Sequence, residues 1–307
     1  MAVQPQDVAE APRTVPERPL PAPTADIAEG LANIAELGVT IHPGFLPVDL
    51  VGRLLERIDE QAALERERGL ALVSGPVGID QPLARAQDDV PPTYQAVRML
   101  PNKGRIFIDL MMHPTSLAYV GGVLKNRPFN LWSMSALISR SGTPAQPPHI
   151  DQAVVPAEMC VIPAMVNVFL CLSDFDADMG ATLLAPGTHA LPRLRPEDRA
   201  GFQPAVAKAG DAIIWEGRVW HGGGPHSASR TRYAISAQYA LAAIRQNDVY
   251  TSALHDRVYE TLNEAELTML GFRAESRGYS NRIGPRNEHD QRRNTNGDTP
   301  YIPELHR

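Results

Sequence analysis

Val161-Ile162-Pro163-Ala164-Met165-Val166-Asn167-Val168-Phe169-Leu170-Cys171-Leu172, closed by the turn-forming run Asp174-Phe175-Asp176-Ala177-Asp178-Met179-Gly180, carries the fold of this chain. A nearly continuous apolar run bounded by turn residues reads as a strand buried on both faces. Upstream, Leu131 to Ile138 reads as a second strand. Downstream, a Gly210-Asp211 turn opens the short apolar strand Ala212-Ile213-Ile214-Trp215, and Arg230 to Tyr239 reads as another. Apolar strands separated by polar turns suit the core of a double-stranded β-helix, the two-sheet jelly roll of cupin-like proteins.

Helices flank this core, so the expected class is α+β with an all-β centre. Ala25 to Leu37 reads as a short helix ending before Gly38, and Gly38 to Leu46 as a strand leading into a turn. Pro47 to Arg68 is helical, with Val51, Leu54, Leu55 and Ile58 on one face and Arg53, Glu56, Arg57 and Glu60 on the other. Arg105 to Met112 reads as a helix ended by His113-Pro114. Residues 74–94, rich in Gly, Pro and Asp, read as a long loop beside the substrate mouth.

Organisation and charge narrow the function. With 307 residues and 43% apolar content the chain can bury a full core, and no interior linker divides it. One domain is expected over residues 26–270. It follows a disordered arm, residues 1–25, that holds six prolines, and precedes a polar, arginine-rich extension, residues 271–307, read as a lid or a homodimer contact. No run of about 18 apolar residues exists to span a membrane, and the first residues do not read as a secretory signal. A net charge of −6 without basic clusters argues against nucleic acid as a partner. Cys160 and Cys171 are the only cysteines and read as packing residues in a reducing, cytoplasmic setting.

The chemistry centres on Gln146-Pro147-Pro148-His149-Ile150-Asp151 and, 70 residues after Asp151, on His221 in Val219-Trp220-His221-Gly222-Gly223-Gly224. In a strand, side chains two apart leave the same face, so His149 and Asp151 can present an imidazole and a carboxylate to one point. The strand opened by Gly210-Asp211 is expected to deliver His221 there at its far end. Two imidazoles and one carboxylate on one side of a metal leave the opposite positions open, as in non-haem Fe(II) oxygenases. Such triads also arise by chance, and the sequence around each ligand is what raises the metal reading. An arginine on the Arg230 to Tyr239 strand suits a dicarboxylic co-substrate, because its planar fork matches a carboxylate; Arg230 and Arg232 compete for that role.

The chain resembles the phytanoyl-CoA dioxygenase superfamily of Fe(II)/2-oxoglutarate-dependent oxygenases. The resemblance rests on His149-x-Asp151, on Gly180-Ala181-Thr182-Leu183-Leu184-Ala185-Pro186-Gly187-Thr188-His189, on Gly210-Asp211, on His221 and on Arg232, and covers roughly residues 35–245. It is nearer to secondary-metabolite members, including fungal meroterpenoid oxygenases, through Pro144 to Gln152 and His221 to Gly224. The resemblance implies Fe(II) on His149, Asp151 and His221, with 2-oxoglutarate and O2 as co-substrates. It implies contacts to 2-oxoglutarate from Gln146 and Thr182, with Arg232 on the distal carboxylate ahead of Arg230. Arg98 is a further candidate for an anion contact. Halogenating relatives lack the carboxylate ligand, so Asp151 points away from halogenation to hydroxylation, desaturation or rearrangement at an unactivated C–H of a small secondary metabolite, with release of succinate and CO2. Two other readings stay open: a cupin-like metal isomerase or hydrolase that uses no O2, and a non-catalytic member that binds a small molecule. The clamp of Gln146, Thr182 and Arg232 separates the oxygenase from both.

Several neighbours tempt other labels. Asp174, Asp176 and Asp178 alternate as in a calcium loop but lack the downstream glutamate. Gly222 to Gly224 reads as close backbone approach beside the metal. His189 and His226 are rivals of His221 and are set aside, and Trp215 and Trp220 read as core and pocket wall.

Overall fold

A computed structural model describes residues 14, 15, 17–74, 80, 81, 92–156, 160–191 and 201–272. Helix α1 (Ile27–Leu37) begins where Asp26 accepts the Glu29 amide at 2.9 Å and ends at Gly38, whose φ of 80° and N–H to the Ile34 carbonyl form a left-handed cap. Strand β1 (Val39–His42) and helix α2 (Val48–Glu67) follow as expected, with Val51, Leu54 and Ile58 buried. Strands β2 (Leu72–Ser74) and β3 (Asp80–Gln81) pair, so the expected loop over 74–94 contains a short strand; residues 75–79 and 82–91 lie outside the described residues. After β4 (Tyr94–Val97) comes helix α3 (Arg105–Met111). It ends before His113-Pro114 as expected, and Pro114 then opens a further helix, α4 (Pro114–Val123), in a first turn where the missing N–H has no intrahelical partner to lose.

The rest of the sheet structure is β5 (Phe129–Ser139), β6 (Met165–Cys171), β7 (Thr182–Ala185), β8 (Gln203–Pro204), β9 (Ala212–Glu216), β10 (Trp220–Gly223) and β11 (Arg232–Leu241). Three short helices follow: α5 (Tyr250–Ala253), α6 (Asp256–Tyr259) and α7 (Glu264–Met269). β6 starts later than its apolar run. Pro163 cannot donate to a ladder, and Val161 before it is 75% exposed.

The strands form a large sheet in the order β1-β9-β6-β11-β5-β4-β2-β3 and a small one in the order β10-β7-β8, with antiparallel pairing throughout. The result is a mostly antiparallel sheet core with flanking helices. Both faces of the large sheet are covered, which explains the unbroken apolar character of β6. Val166, Val168 and Leu170 pack with α2, α3 and α4 in one core, while Phe169 and Cys171 turn to a second core with Leu184, Ile213, Trp215 and Ala234. Asn167 shares the inner face with Phe169 and is nonetheless buried.

Residues 17–25, expected to belong to a disordered arm, are fastened to the domain. Arg18 pairs with Glu36 at 2.6 Å, Gln203 donates to the Arg18 carbonyl at 2.5 Å, and the Thr24 amide donates to Ile41 at 2.9 Å. Of the C-terminal extension only Gly271 and Phe272 are described, and Phe272 is buried in the helix-side core. The expected lid or dimer contact otherwise lies outside the described residues.

Candidate metal centre and its cavity

His149, Asp151 and His221 converge, with one potential ligand atom from each lying within 4.8 Å of the others. His221 Nε2 is 3.6 Å from Asp151 Oδ1, and the two imidazole centroids are 4.4 Å apart. The local route differs from the expected strand. His149 makes one isolated bridge to His221 through reciprocal backbone hydrogen bonds of 2.8 and 2.9 Å, and Asp151 opens a single 3-10 turn. Ile150 between them is extended, at φ −122° and ψ 138°, so side chains two apart still leave on the same side. Nor does β9 carry His221 at its end. A turn through Gly217, Arg218 and Val219 sends the chain into the small sheet, where β10 holds His221 opposite Leu184.

Both imidazoles are held in one tautomer. His149 Nδ1 lies 3.0 Å from the Pro147 carbonyl and His221 Nδ1 lies 2.9 Å from the Val219 carbonyl. A carbonyl only accepts, so each Nδ1 carries the proton and each Nε2 offers its lone pair. Burial holds the His221 pKa below the usual histidine value, and the charge of Asp151 only partly offsets this. A neutral imidazole is the form that ligates a metal.

The carboxylate has partners that sequence reasoning missed. Trp215 Nε1 donates to Asp151 Oδ2 at 3.0 Å, Gln238 Nε2 donates to Oδ1 at 2.7 Å, and Asn167 Nδ2 approaches Oδ2 at 3.4 Å. Trp215 is therefore more than core. The available signal was polarity out of place: Asn167 interrupts the apolar Met165–Cys171 strand, and Gln238 sits among the apolar residues of β11.

The triad opens into a cavity of about 500 Å3, with Arg232 in its wall. Arg232 is 5% exposed, Nη1 donates to the Gly180 carbonyl, and Nε has no partner among the described residues. Among the described residues no carboxylate pairs with it. It lies 5.1 Å from the Phe175 ring centroid. Arg230, by contrast, is exposed and bound to Asp176 at 2.7 Å, away from the cavity.

Gln146 and Thr182 also line the cavity. Gln146 exchanges hydrogen bonds with Gly223, and because the Gly223 amide takes Oε1 at 2.9 Å the side-chain NH2 is the group left for a ligand. Thr182 is the cross-strand partner of that same Gly223. The glycines are there for close approach: a Cβ on Gly222 would meet the Gln146 carbonyl at 3.0 Å, and one on Gly224 the Ala181 carbonyl at 2.7 Å. Tyr94, unremarked in the sequence, faces the cavity opposite Ser139, and burial pushes its phenol up to about 12, so it stays a donor. Arg98 enters the cavity just past Val97, whose partner is Ala136, whereas Arg232 stands opposite Ser139.

The rivals have structural roles. His189 Nε2 lies 3.3 Å from the Ala35 carbonyl, and His226 lies between Ser139 Oγ and the Arg230 carbonyl. Asp174 binds Lys208 and the Ala209 amide, and Asp176 binds Arg230, so these carboxylates stitch a turn. Cys171 is buried and Cys160 half-buried, both as thiols. No helix among the described residues is long and apolar enough to cross a membrane.

Comparison with known proteins gives the same direction. The chain is 27% identical over 248 residues to the dioxygenase af480 of Aspergillus fumigatus, a match covering 78% of this chain and 75% of that one. It is 30% identical over 147 residues to the multifunctional dioxygenase prhA of Penicillium brasilianum, covering 43% of this chain and about half, 48%, of the relative. Among solved structures, the non-haem α-ketoglutarate-dependent epimerase SnoN of nogalamycin biosynthesis superposes with a TM-score of 0.57 at 20% identity, over 73% of this chain and 86% of its own. HygX from Streptomyces hygroscopicus, solved with nickel and 2-oxoglutarate bound, also gives 0.57, at 14% identity over 71% and 88%. At such identities these two likenesses speak to the fold. The model of the phytanoyl-CoA dioxygenase (PhyH) family matches residues 35–234, nearly two-thirds of the sequence, and the chain belongs to that family.

Proposed function

We propose that this chain is an Fe(II)- and 2-oxoglutarate-dependent dioxygenase that oxidises an unactivated C–H bond of a small molecule. One observation carries the reading: a single cavity joins an imidazole, carboxylate and imidazole set to a buried guanidinium that has no carboxylate partner among the described residues. The donor set suits Fe(II), since both Nε2 atoms are free and Asp151 supplies the third ligand on one side. Bound iron, with 2-oxoglutarate and O2, supplies the oxidation of the C–H bond as succinate and CO2 are released.

The residues divide the remaining work. Arg232 neutralises and orients the distal carboxylate of 2-oxoglutarate, satisfying its orphaned Nε in the process. Gln146 donates its NH2 and Thr182 its hydroxyl along the co-substrate. Arg98 remains a second anion contact, placed away from Arg232 by the strand register. The two-sheet arrangement is read as a double-stranded β-helix over a domain at residues 26–270, to which residues 17–25 and Phe272 are fastened, in a cytoplasmic setting.

The substrate is read as a secondary metabolite, mid-sized and largely apolar. Asp151 favours hydroxylation or desaturation over halogenation. The test is anaerobic addition of Fe(II) and then 2-oxoglutarate to the apoprotein. A weak visible metal-to-ligand charge-transfer band, lost in Arg232→Ala, is expected. Iron binding with no band would move the protein to a cupin-like metal enzyme without O2 chemistry or to a non-catalytic binder.

A further inference from the structure

Four residues that never approach one another in sequence form one transverse row across the inner face of the large sheet. Ser133 on β5 is the register partner of Gln238 on β11, Gln238 is the partner of Asn167 on β6, and Asn167 is the partner of Trp215 on β9. Three of the four end on Asp151: Gln238 at Oδ1 and Trp215 and Asn167 at Oδ2. The amides are themselves held. Ser133 Oγ donates to Gln238 Oε1 at 2.7 Å, and Ser236 Oγ donates to Asn167 Oδ1 at 3.1 Å. A carboxylate only accepts, so each NH2 faces Asp151 and each amide oxygen is left to take a hydroxyl.

The two carboxylate oxygens are thereby unequal. Oδ2 has two N–H donors and Oδ1 has one, and Oδ1 is the oxygen that lies 3.6 Å from His221 Nε2. We propose that the row Ser133, Gln238, Asn167 and Trp215 is a positioning device that holds Asp151 as a one-oxygen ligand through Oδ1. This inference rests on the metal-site reading of His149, Asp151 and His221. Its consequence concerns coordination number. A carboxylate free to swing would bind through both oxygens and occupy a position that the co-substrate or O2 needs, whereas a carboxylate pinned at Oδ2 leaves that position open. Trp215 and the amides line the cavity, and their role as positioning residues is exerted through their hydrogen bonds to Asp151.

The experiment titrates Co(II) into metal-free wild type, Trp215→Phe, Gln238→Met and Ser133→Ala, without substrate or turnover. The readouts are the dissociation constant and the visible d–d spectrum, which responds to coordination number; thermal unfolding of each apoprotein reports the fold. We expect Trp215→Phe and Gln238→Met to weaken Co(II) binding by about 10- to 100-fold, in line with the loss of partners that orient a ligand. A shifted spectrum is expected with it. Ser133→Ala touches neither the metal nor Asp151, yet is expected to shift the spectrum in the same direction by a smaller amount. It removes a single hydroxyl, so it decides the matter even where Trp215→Phe unfolds. Folded variants with the wild-type constant and spectrum would overturn the positioning role. Wild type that takes up no Co(II) would instead overturn the metal-site reading beneath it.

Discussion

Arg230 and Arg232 stand two residues apart and meet opposite fates. One is spent on Asp176 at the surface, while the other is buried with an unpartnered Nε in the cavity wall. Removing a charged partner from a buried pair costs about 2–5 kcal/mol, so Arg232→Ala should raise the 2-oxoglutarate requirement on the order of 100-fold. Arg230→Ala should leave it close to wild type, and succinate release against 2-oxoglutarate concentration distinguishes the two. Asp151→Ala should abolish turnover with the fold retained, but at a cost. Three side-chain donors lose their acceptor, and a buried unsatisfied donor costs about 1–3 kcal/mol, so apoprotein unfolding should move to lower denaturant. Undiminished succinate production by this variant would remove Asp151 from the metal. His149, Asp151, His221 and Arg232 were readable beforehand as residues that would meet, because each sits in a short local pattern, and they line one cavity. Gln238, Asn167, Trp215 and Tyr94 were not, because their meaning comes from cross-strand register, which exists only once β5, β11, β6 and β9 have paired.

Among elements, β10 is tightly hemmed in. It passes between the Gln146 segment and β7, and its Gly222 and Gly223, with Gly224 beyond, give the backbones room. A methyl on Gly224 would sit 2.7 Å from a carbonyl oxygen that cannot easily yield. Gly224→Ala should therefore destabilise the protein by roughly 1–3 kcal/mol and also weaken 2-oxoglutarate binding, since the strain falls beside Thr182 and Gln146. A wild-type denaturation midpoint would show that β7 moves aside at no cost. The long strands were legible from apolar runs between turn residues and the end of helix α1 from Gly38, whereas the Asp26 cap at its start was not read. The small sheet was not, because β7, β8 and β10 are only two to four residues long and carry too little pattern to announce themselves. Helix α3 does end before His113-Pro114, but α4 was not read, since a proline that only ends one helix and a proline that also begins the next look alike in sequence.

For the whole molecule, several histidines are buried neutral. Burial holds the pKa values of His42, His113, His189 and His226 below the usual histidine range, and the Nδ1 atoms of His113 and His189 have no partner. The unfolded chain takes up these protons near the ordinary value, about 6.5, before the folded one does. The stability they confer is complete above that pH and is lost as the pH falls through the lowered folded values. The urea midpoint of the apoprotein should drop between about pH 7 and about pH 5, and an unchanged midpoint over that range would show that these rings protonate without unfolding.

The two-faced large sheet has a further consequence. Along β11, Arg232, Ser236 and Gln238 serve the cavity while Ile235, Ala237 and Tyr239 serve the helix-side core, and along β5 the odd-numbered Ser133, Ser135 and Ser139 alternate with Met134, Ala136 and Ile138. Chemistry and stability are thus written on alternate letters of the same strands. A combinatorial library that varies only the cavity-facing positions, sparing Ser133, Ser236, Gln238 and Arg232, can reshape what the enzyme accepts while its core is inherited unchanged; a one-residue deletion in either strand would exchange the two texts and lose both.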